Sequence, residues 1–202
     1  MIMLNAICGF IRFFTGIEKQ RFDNAPVTTQ RIYIANHSSH VDCMVLLSAL
    51  PAAIRRTVRP AAAEDYWMAT PLRRWFAVNV LHIVPIPREK LTKANNPITR
   101  LVNALDQGSS LIIFPEGGRQ EKEQLPIQDF KCGLYHLCKQ RPEVELVPTY
   151  IGNAARVLPK GKFLPVPILC SVKFGQPIRL VQGEKKEDFL KRAQLAVEKC
   201  AS

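Results

Sequence analysis

The sequence predicts one α/β domain: a central sheet, mostly parallel or mixed, with helices on its faces. Three observations predict it. Short apolar runs of strand length alternate with longer amphipathic runs, the pattern of a sheet whose strands are joined by helical crossovers. The 202 residues suit a single domain with a sizeable core, and no internal repeat divides them. The apolar content, 47%, is that of a globular protein.

The elements follow in chain order. Residues 1–30 form an N-terminal segment ahead of a domain over 31–202. The segment opens with MIMLNAICGFIRFFTGI, followed by Glu18, Lys19 and Arg21. At about 17 residues, interrupted by Asn5 and Arg12, it sits at the lower limit of a membrane span. Its charges follow the apolar run, which is the wrong order for a signal peptide. It reads either as an interfacial helix or as a helix packed on the domain. Strands are expected at RIYIA (31–35), VLHIVPI (80–86), SLIIF (110–114), ELVPTYI (145–151) and LCSVKFG (169–175). Helices are expected after Asp42, over 64–79, over 98–108 with Gly108 as C-cap, over 130–140 and over 187–200. A sheet of this kind binds ligands beyond the carboxyl ends of its strands.

The net charge of +11 calls for an anionic partner, such as a membrane surface, an acidic protein, a phosphorylated substrate or nucleic acid. No nucleic-acid recognition motif is present, so no nucleic acid is expected. Arg55, Arg56 and Arg59, with Trp67, Arg73, Arg74 and Trp75, are candidates for a basic docking face. The six cysteines are scattered, with no CxxC pair, and read as reduced thiols in a cytosol.

Two of only four histidines, with a carboxylate, fall at the turn after the first strand: His37, His40 and Asp42 in NHSSHVD. His37 and Asp42 are five apart, about 140° on a regular helix, so they meet only if His37 lies in the turn before it. An Asp that accepts the ring Nδ1–H fixes the tautomer and leaves Nε2 as a base. That is the base half of a triad, and the nucleophile would be a substrate hydroxyl. The same letters also read as a capping box, with Ser39 at the N-cap and Asp42 at N3, and the two roles are compatible. The spacing matches no zinc site, so no metal is expected. The chain has no GxSxG, which leaves a serine hydrolase without support.

Two other strand ends carry chemistry. SLIIF leads into Pro115-Glu116-Gly117-Gly118-Arg119, where glycines admit close backbone approach and Arg119 adds a planar cation. HIVPIPREK ends with Arg88 and Lys90, on the same predicted edge, which suits an anion.

Together these motifs resemble the glycerolipid acyltransferase family. NHSSHVD resembles its NHxxxxD motif, VPIPR its second motif, FPEGGR its FPEGTR and LVPTYI its fourth, in that order. Further likeness covers AAAEDYW, FKCGLYHL and LPKGKFLPVP...VKFGQPI, so the resemblance runs from about Ile32 to Ile178. It implies the fold of that family. It implies transfer of a fatty acyl group from acyl-CoA or acyl carrier protein to a lysophospholipid hydroxyl, 1-acyl-glycerol-3-phosphate foremost, with no cofactor. His37 would be the base and Asp42 its orienting partner. Arg88, Glu116, Gly117, Gly118 and Arg119 would form the acceptor site, and His40 would be structural. Gly118 stands where the family usually has Thr, and Gln120 where Ser is common. Only about 30 residues precede the first motif, fewer than the long N-terminal membrane segment of many relatives. The expected location is the cytoplasmic face of a membrane, peripheral or monotopic. Two other readings stand beside this one: acyl transfer to a non-phosphate lipid such as an amino-acid lipid, and a basic lipid-binding module without chemistry.

Overall fold

β1 (Arg31–Ala35) lies inside a six-stranded sheet of order β3-β2-β4-β1-β5-β6. The partners are β2 (Val58–Ala63), β3 (Val84–Ile86), β4 (Ser110–Ile113), β5 (Glu145–Gly152) and β6 (Ser171–Phe174). β1 to β5 run parallel and β6 is antiparallel to β5. The computed structural model describes residues 2–17, 29–39, 41–88, 95–120, 126–154 and 169–201. His40, Lys90, Glu18, Lys19, Arg21 and the stretch 158–167 lie outside the described residues.

Both faces of the sheet are covered, as a parallel sheet requires. Alternate residues of β1 divide between the layers: Tyr33 and Ala35 enter one core, Ile32 and Ile34 the other. Over the first face lie α1 (Ile2–Thr15), α2 (Asp42–Ala49), α3 (Ala52–Arg55), α4 (Glu64–Trp67) and α5 (Pro71–Asn79). Over the second lie α6 (Pro97–Asp106), α7 (Gly133–Gln140) and α8 (Lys186–Lys199).

Several expectations are corrected. The helix over 64–79 is two helices, because Pro71 cannot donate to a preceding turn. Thr70 caps the second, its hydroxyl accepting from Arg73 N–H at 3.3 Å. The strand over 80–86 is only Val84–Ile86. Val80 and Leu81 still donate to Phe76 O, and His82 turns the chain at φ +49°. β2, reading VRPAAA, was not expected at all. Its proline falls where the pairing changes over: 58–60 pair with β4 and 61–63 with β3. Gly108 does cap α6, at φ +80°, with its N–H on Leu105 O and the next N–H on Ala104 O.

Arg55 does not belong to a basic surface. It is buried, and its guanidinium donates to Leu47 O at 2.8 Å, Leu50 O at 2.7 Å and Asn5 Oδ1 at 2.8 Å, tying α1 and α2 together. Arg59 is also engaged, through His82 O and Ile83 O. Of the three arginines only Arg56 is exposed. Arg55→Ala strands these buried acceptors and is expected to cost about 2–4 kcal/mol of stability. Urea unfolding checks this; a loss under 1 kcal/mol, roughly the scale of a surface change, would show that the carbonyls find water instead.

Leu4, Cys8 and Thr15 bury one face of α1 against the domain, while Ile2, Phe10 and Phe13 are exposed on the other. Among the described residues, no helix is long and apolar enough to cross a membrane.

Candidate active site

The site begins where β1 ends. Asn36 takes over the ladder with its side chain: its Nδ2 donates to Ile151 O at 3.0 Å, and its Oδ1 accepts from Ile151 N–H at 2.8 Å. This anchors to β5 the point at which the chain leaves the sheet. His37 follows. Its N–H donates to Glu116 Oε1 at 2.8 Å, and its carbonyl accepts from Gln120 N–H at 2.8 Å. The loop after β4 thus grips the backbone of His37 from both sides. The imidazole stacks on Phe114, the last residue before that loop, with centroids 4.3 Å apart and 22° between planes.

Asp42 opens α2 and is fully buried. Its Oδ2 lies 2.9 Å from His37 Nδ1 and accepts from Ser38 N–H at 2.6 Å and Ser39 N–H at 2.8 Å. A carboxylate that is ionised accepts only, so in that state the contact requires the hydrogen on Nδ1 and leaves Nε2 without one. The capping box is half made. Asp42 reaches back to Ser39 N–H, but the N-cap position is Val41, without a side-chain cap, and Ser39 Oγ meets only Val41 N–H, at 3.5 Å. Asp42 Oδ1 and Ser38 Oγ are buried without a hydrogen-bond partner.

Beside His37 opens a cavity of about 470 Å³. Its walls are mostly apolar: Ala61, Ala62, Trp67, Ile83, Leu101 and Phe114 among others. β2 supplies small side chains just where the space opens, so Ala61–Ala63 in effect create it. Nothing lies within 4 Å of where a Gly118 Cβ would stand.

Gly117, Gly118, Arg119 and Arg88 line this cavity with His37. Gly117 holds φ +75°, a conformation that glycine adopts without strain. Arg119 is exposed at the rim. Arg88 Nε pairs with Asp65 Oδ1 at 3.3 Å, and both side chains are largely exposed. Asp42 and Glu116 do not line the cavity. Glu116 is buried beneath the loop, and burial, opposed by the His37 N–H, pushes its carboxyl pKa up. Its Oε2 and the nearby Gln120 Nε2 are buried without a hydrogen bond.

Asn36 and the β2 alanines fell inside stretches covered by the resemblance but without a role, Gln120 stood out only as a departure from it, and Cys43 only as one of the scattered thiols. Cys43 lines the cavity next to the base, but burial, and then the Asp42 charge, raise its thiol pKa far above the ordinary value. A thiol kept neutral is a poor nucleophile. Among the described residues, no cluster of His, Cys, Asp and Glu could hold a metal ion.

The acyltransferase family profile matches residues 16–152, a stretch that holds this whole constellation. The chain belongs to the acyltransferase family. Relatives within it include the 1-acyl-sn-glycerol-3-phosphate acyltransferase of Limnanthes douglasii, 28% identical over 188 residues, covering 92% of this chain and 64% of that protein. The enzyme of that name from Cocos nucifera is 30% identical over 172 residues, covering 85% and 52%. That from Saccharomyces cerevisiae is 29% identical over 129 residues, covering 63% and 40%. The chain thus spans less than two thirds of the length of these curated relatives. The crystal structure of the 1-acyl-sn-glycerophosphate acyltransferase PlsC from Thermotoga maritima matches with a TM-score of 0.74 at 21% identity, covering 98% of this acyltransferase chain and 78% of that one. The shared architecture is the single-domain mixed sheet flanked by helices.

Proposed function

We propose that the chain is an acyltransferase that moves a fatty acyl group from an acyl thioester, of CoA or of an acyl carrier protein, to the hydroxyl of a lysophospholipid. The acceptor of choice is 1-acyl-glycerol-3-phosphate and the product phosphatidic acid. The observation that carries the reading is the 2.9 Å His37 Nδ1 to Asp42 Oδ2 contact at the rim of an apolar cavity, with arginines beside it. The relatives' names support the same acceptor.

In this reading Nε2 of His37 takes the proton of the acceptor hydroxyl as its oxygen attacks the thioester carbonyl. Asp42 stabilises the imidazolium. The tetrahedral intermediate collapses, the C–S bond breaks, and the thiolate leaves with the proton returned by His37. Fatty chains occupy the apolar cavity. Arg119 and Arg88 hold the phosphate, Arg88 exchanging its contact with Asp65. The chemistry runs on the histidine and calls for no metal or cofactor. We place the protein at the cytoplasmic face of a membrane as a peripheral or monotopic protein. Its six free thiols suit a reducing compartment and its charge suits an anionic surface.

A panel of lysolipids, offered with one acyl-CoA and one acyl carrier protein and read by mass spectrometry, tests the whole reading. No acylated product from any pair would sink it. The acceptor assignment has its own test. Charge-assisted hydrogen bonds contribute about 1.5–3 kcal/mol each, so Arg119→Ala is expected to raise KM for lysophosphatidate roughly ten- to a hundredfold. The KM for the thioester should stay near wild type. Arg119→Lys should rescue in part, since a point charge does not reproduce the planar fork. An equal loss on acceptors with and without a phosphate monoester would mean that Arg119 holds the loop or the thioester instead.

A further inference from the structure

The two helical layers differ in what they show to solvent. In the layer of α1 to α5, Ile2, Phe10 and Phe13 of α1 and Leu72, Trp75 and Val78 of α5 are exposed. In the opposite layer, among the described residues, α6 and α7 expose no large apolar side chain and α8 exposes only Leu195.

α5 is the more unusual of the two. A surface helix normally turns its apolar stripe to the core and its polar face outward. Here the buried positions of the helix are Ala77 and, in part, Phe76. Leu72, Trp75 and Val78 recur every third residue and span an arc of about 120°, with Trp75 about 160° away from Ala77. The outward face is therefore an apolar one. Arg74 borders it, about 40° from Val78, and is exposed; Arg73, also exposed, lies about 160° from Trp75 on the side of Tyr66, and Arg56 is exposed in the same layer. Leu72 is 76% exposed.

α5 also sits against the cavity. Phe76 stacks on Trp67 with centroids 6.3 Å apart, and Arg73 lies 4.5 Å over the ring of Tyr66. Trp67 and Tyr66 line the cavity, as does Leu81 just after the helix. Whatever α5 docks on is brought close to the place where an acyl chain must enter.

We propose that the outward face of α5 is a membrane-docking surface: Leu72, Trp75 and Val78 enter the interface of an anionic bilayer while Arg74 meets its lipid phosphates. A Trp and aliphatic face bordered by an arginine has the composition of an interfacial helix, and basic residues near an anionic leaflet add electrostatic attraction. The exposed apolar residues of α1 lie in the same helical layer. The inference rests on the reading above, in which the acceptor is a membrane lipid, and it names the element that presents the cavity to that lipid.

The experiment uses the full chain and vesicles of phosphatidylcholine alone or mixed with phosphatidylglycerol. The wild type should float with the mixed vesicles and less with the neutral ones. Leu72→Ser with Trp75→Ser should weaken that partition by roughly tenfold or more, since two exposed apolar side chains lose their burial. Leu195→Ser, on the opposite layer, should change nothing. In a Trp67→Phe background, Trp75 fluorescence should be quenched by bromine-labelled acyl chains. Unchanged flotation of the double variant, or unquenched Trp75, overturns the proposal. So does loss of acyl carrier protein binding with vesicle binding intact, which would give the face to an acidic protein. Flotation needs no turnover, so it is separable from the catalytic reading: a protein that floats through α5 but acylates nothing keeps this surface and loses that function. Where both hold, the double variant acylates a dispersed, short-chain lysolipid at the wild-type rate and fails on the vesicle-bound one.

Discussion

His37→Ala is expected to lower turnover by about two to four orders of magnitude, the usual weight of a general base, with the fold intact. The structure gives a reason to expect survival of the fold. What the loop after β4 holds at position 37 is backbone: the N–H on Glu116 and the carbonyl under Gln120. Alanine keeps both. The ring contributes its stack on Phe114 and its bond to Asp42, at the rim of a cavity where water can replace it. Circular dichroism and urea unfolding should stay close to wild type while product formation collapses with both acyl donors. A purified, folded variant that turns over at the wild-type rate would remove His37 from the chemistry and leave the base unassigned.

The sequence could be read furthest where chemistry and periodicity coincide. RIYIA, SLIIF and ELVPTYI are buried strands with branched, apolar residues, and all three form the centre of the sheet. Helix geometry made the meeting of His37 with Asp42 conditional on His37 lying in the turn before α2, and the strand ahead of it made that turn plausible; the 2.9 Å contact meets the condition. The strand ends carrying Arg88 and Arg119 fall on one edge because β1 to β4 are parallel. What could not be read has physical causes. VRPAAA lacks the branched and aromatic residues by which strands are recognised, and its proline speaks against a central strand. It forms one because tertiary pairing with β4 and β3 overrides local preference. That missed strand also forms part of the cavity lining, through Pro60 to Ala63. Arg55 looked like a surface charge because nothing in its neighbours reveals that α1 will close over it. Glu116 looked like an acceptor ligand, and its carboxylate instead lies behind the base, on a backbone N–H. Only three-dimensional placement tells a carboxylate in the cavity from one under it.

Asp42→Asn separates the two roles the sequence left open for this residue. One oxygen of Asp42 accepts from His37 Nδ1, Ser38 N–H and Ser39 N–H, and the other is buried without a partner. An asparagine can keep its carbonyl oxygen on all three donors, with its NH2 where the unpartnered oxygen stood. Geometry then largely survives, at the expense of a buried amide without an acceptor, about 1–3 kcal/mol of stability. The charge does not survive. Without it the imidazolium formed during proton transfer loses its counter-ion, and kcat is expected to fall by roughly two orders of magnitude or more. A residue that only caps α2 predicts the opposite division: about 1 kcal/mol of stability lost and kcat kept wherever the variant is folded. The two outcomes are told apart by measuring kcat at a temperature where urea curves show wild type and variant equally folded. Full activity there would assign Asp42 to the start of the helix alone, and His37 would need another group to hold its Nδ1 hydrogen.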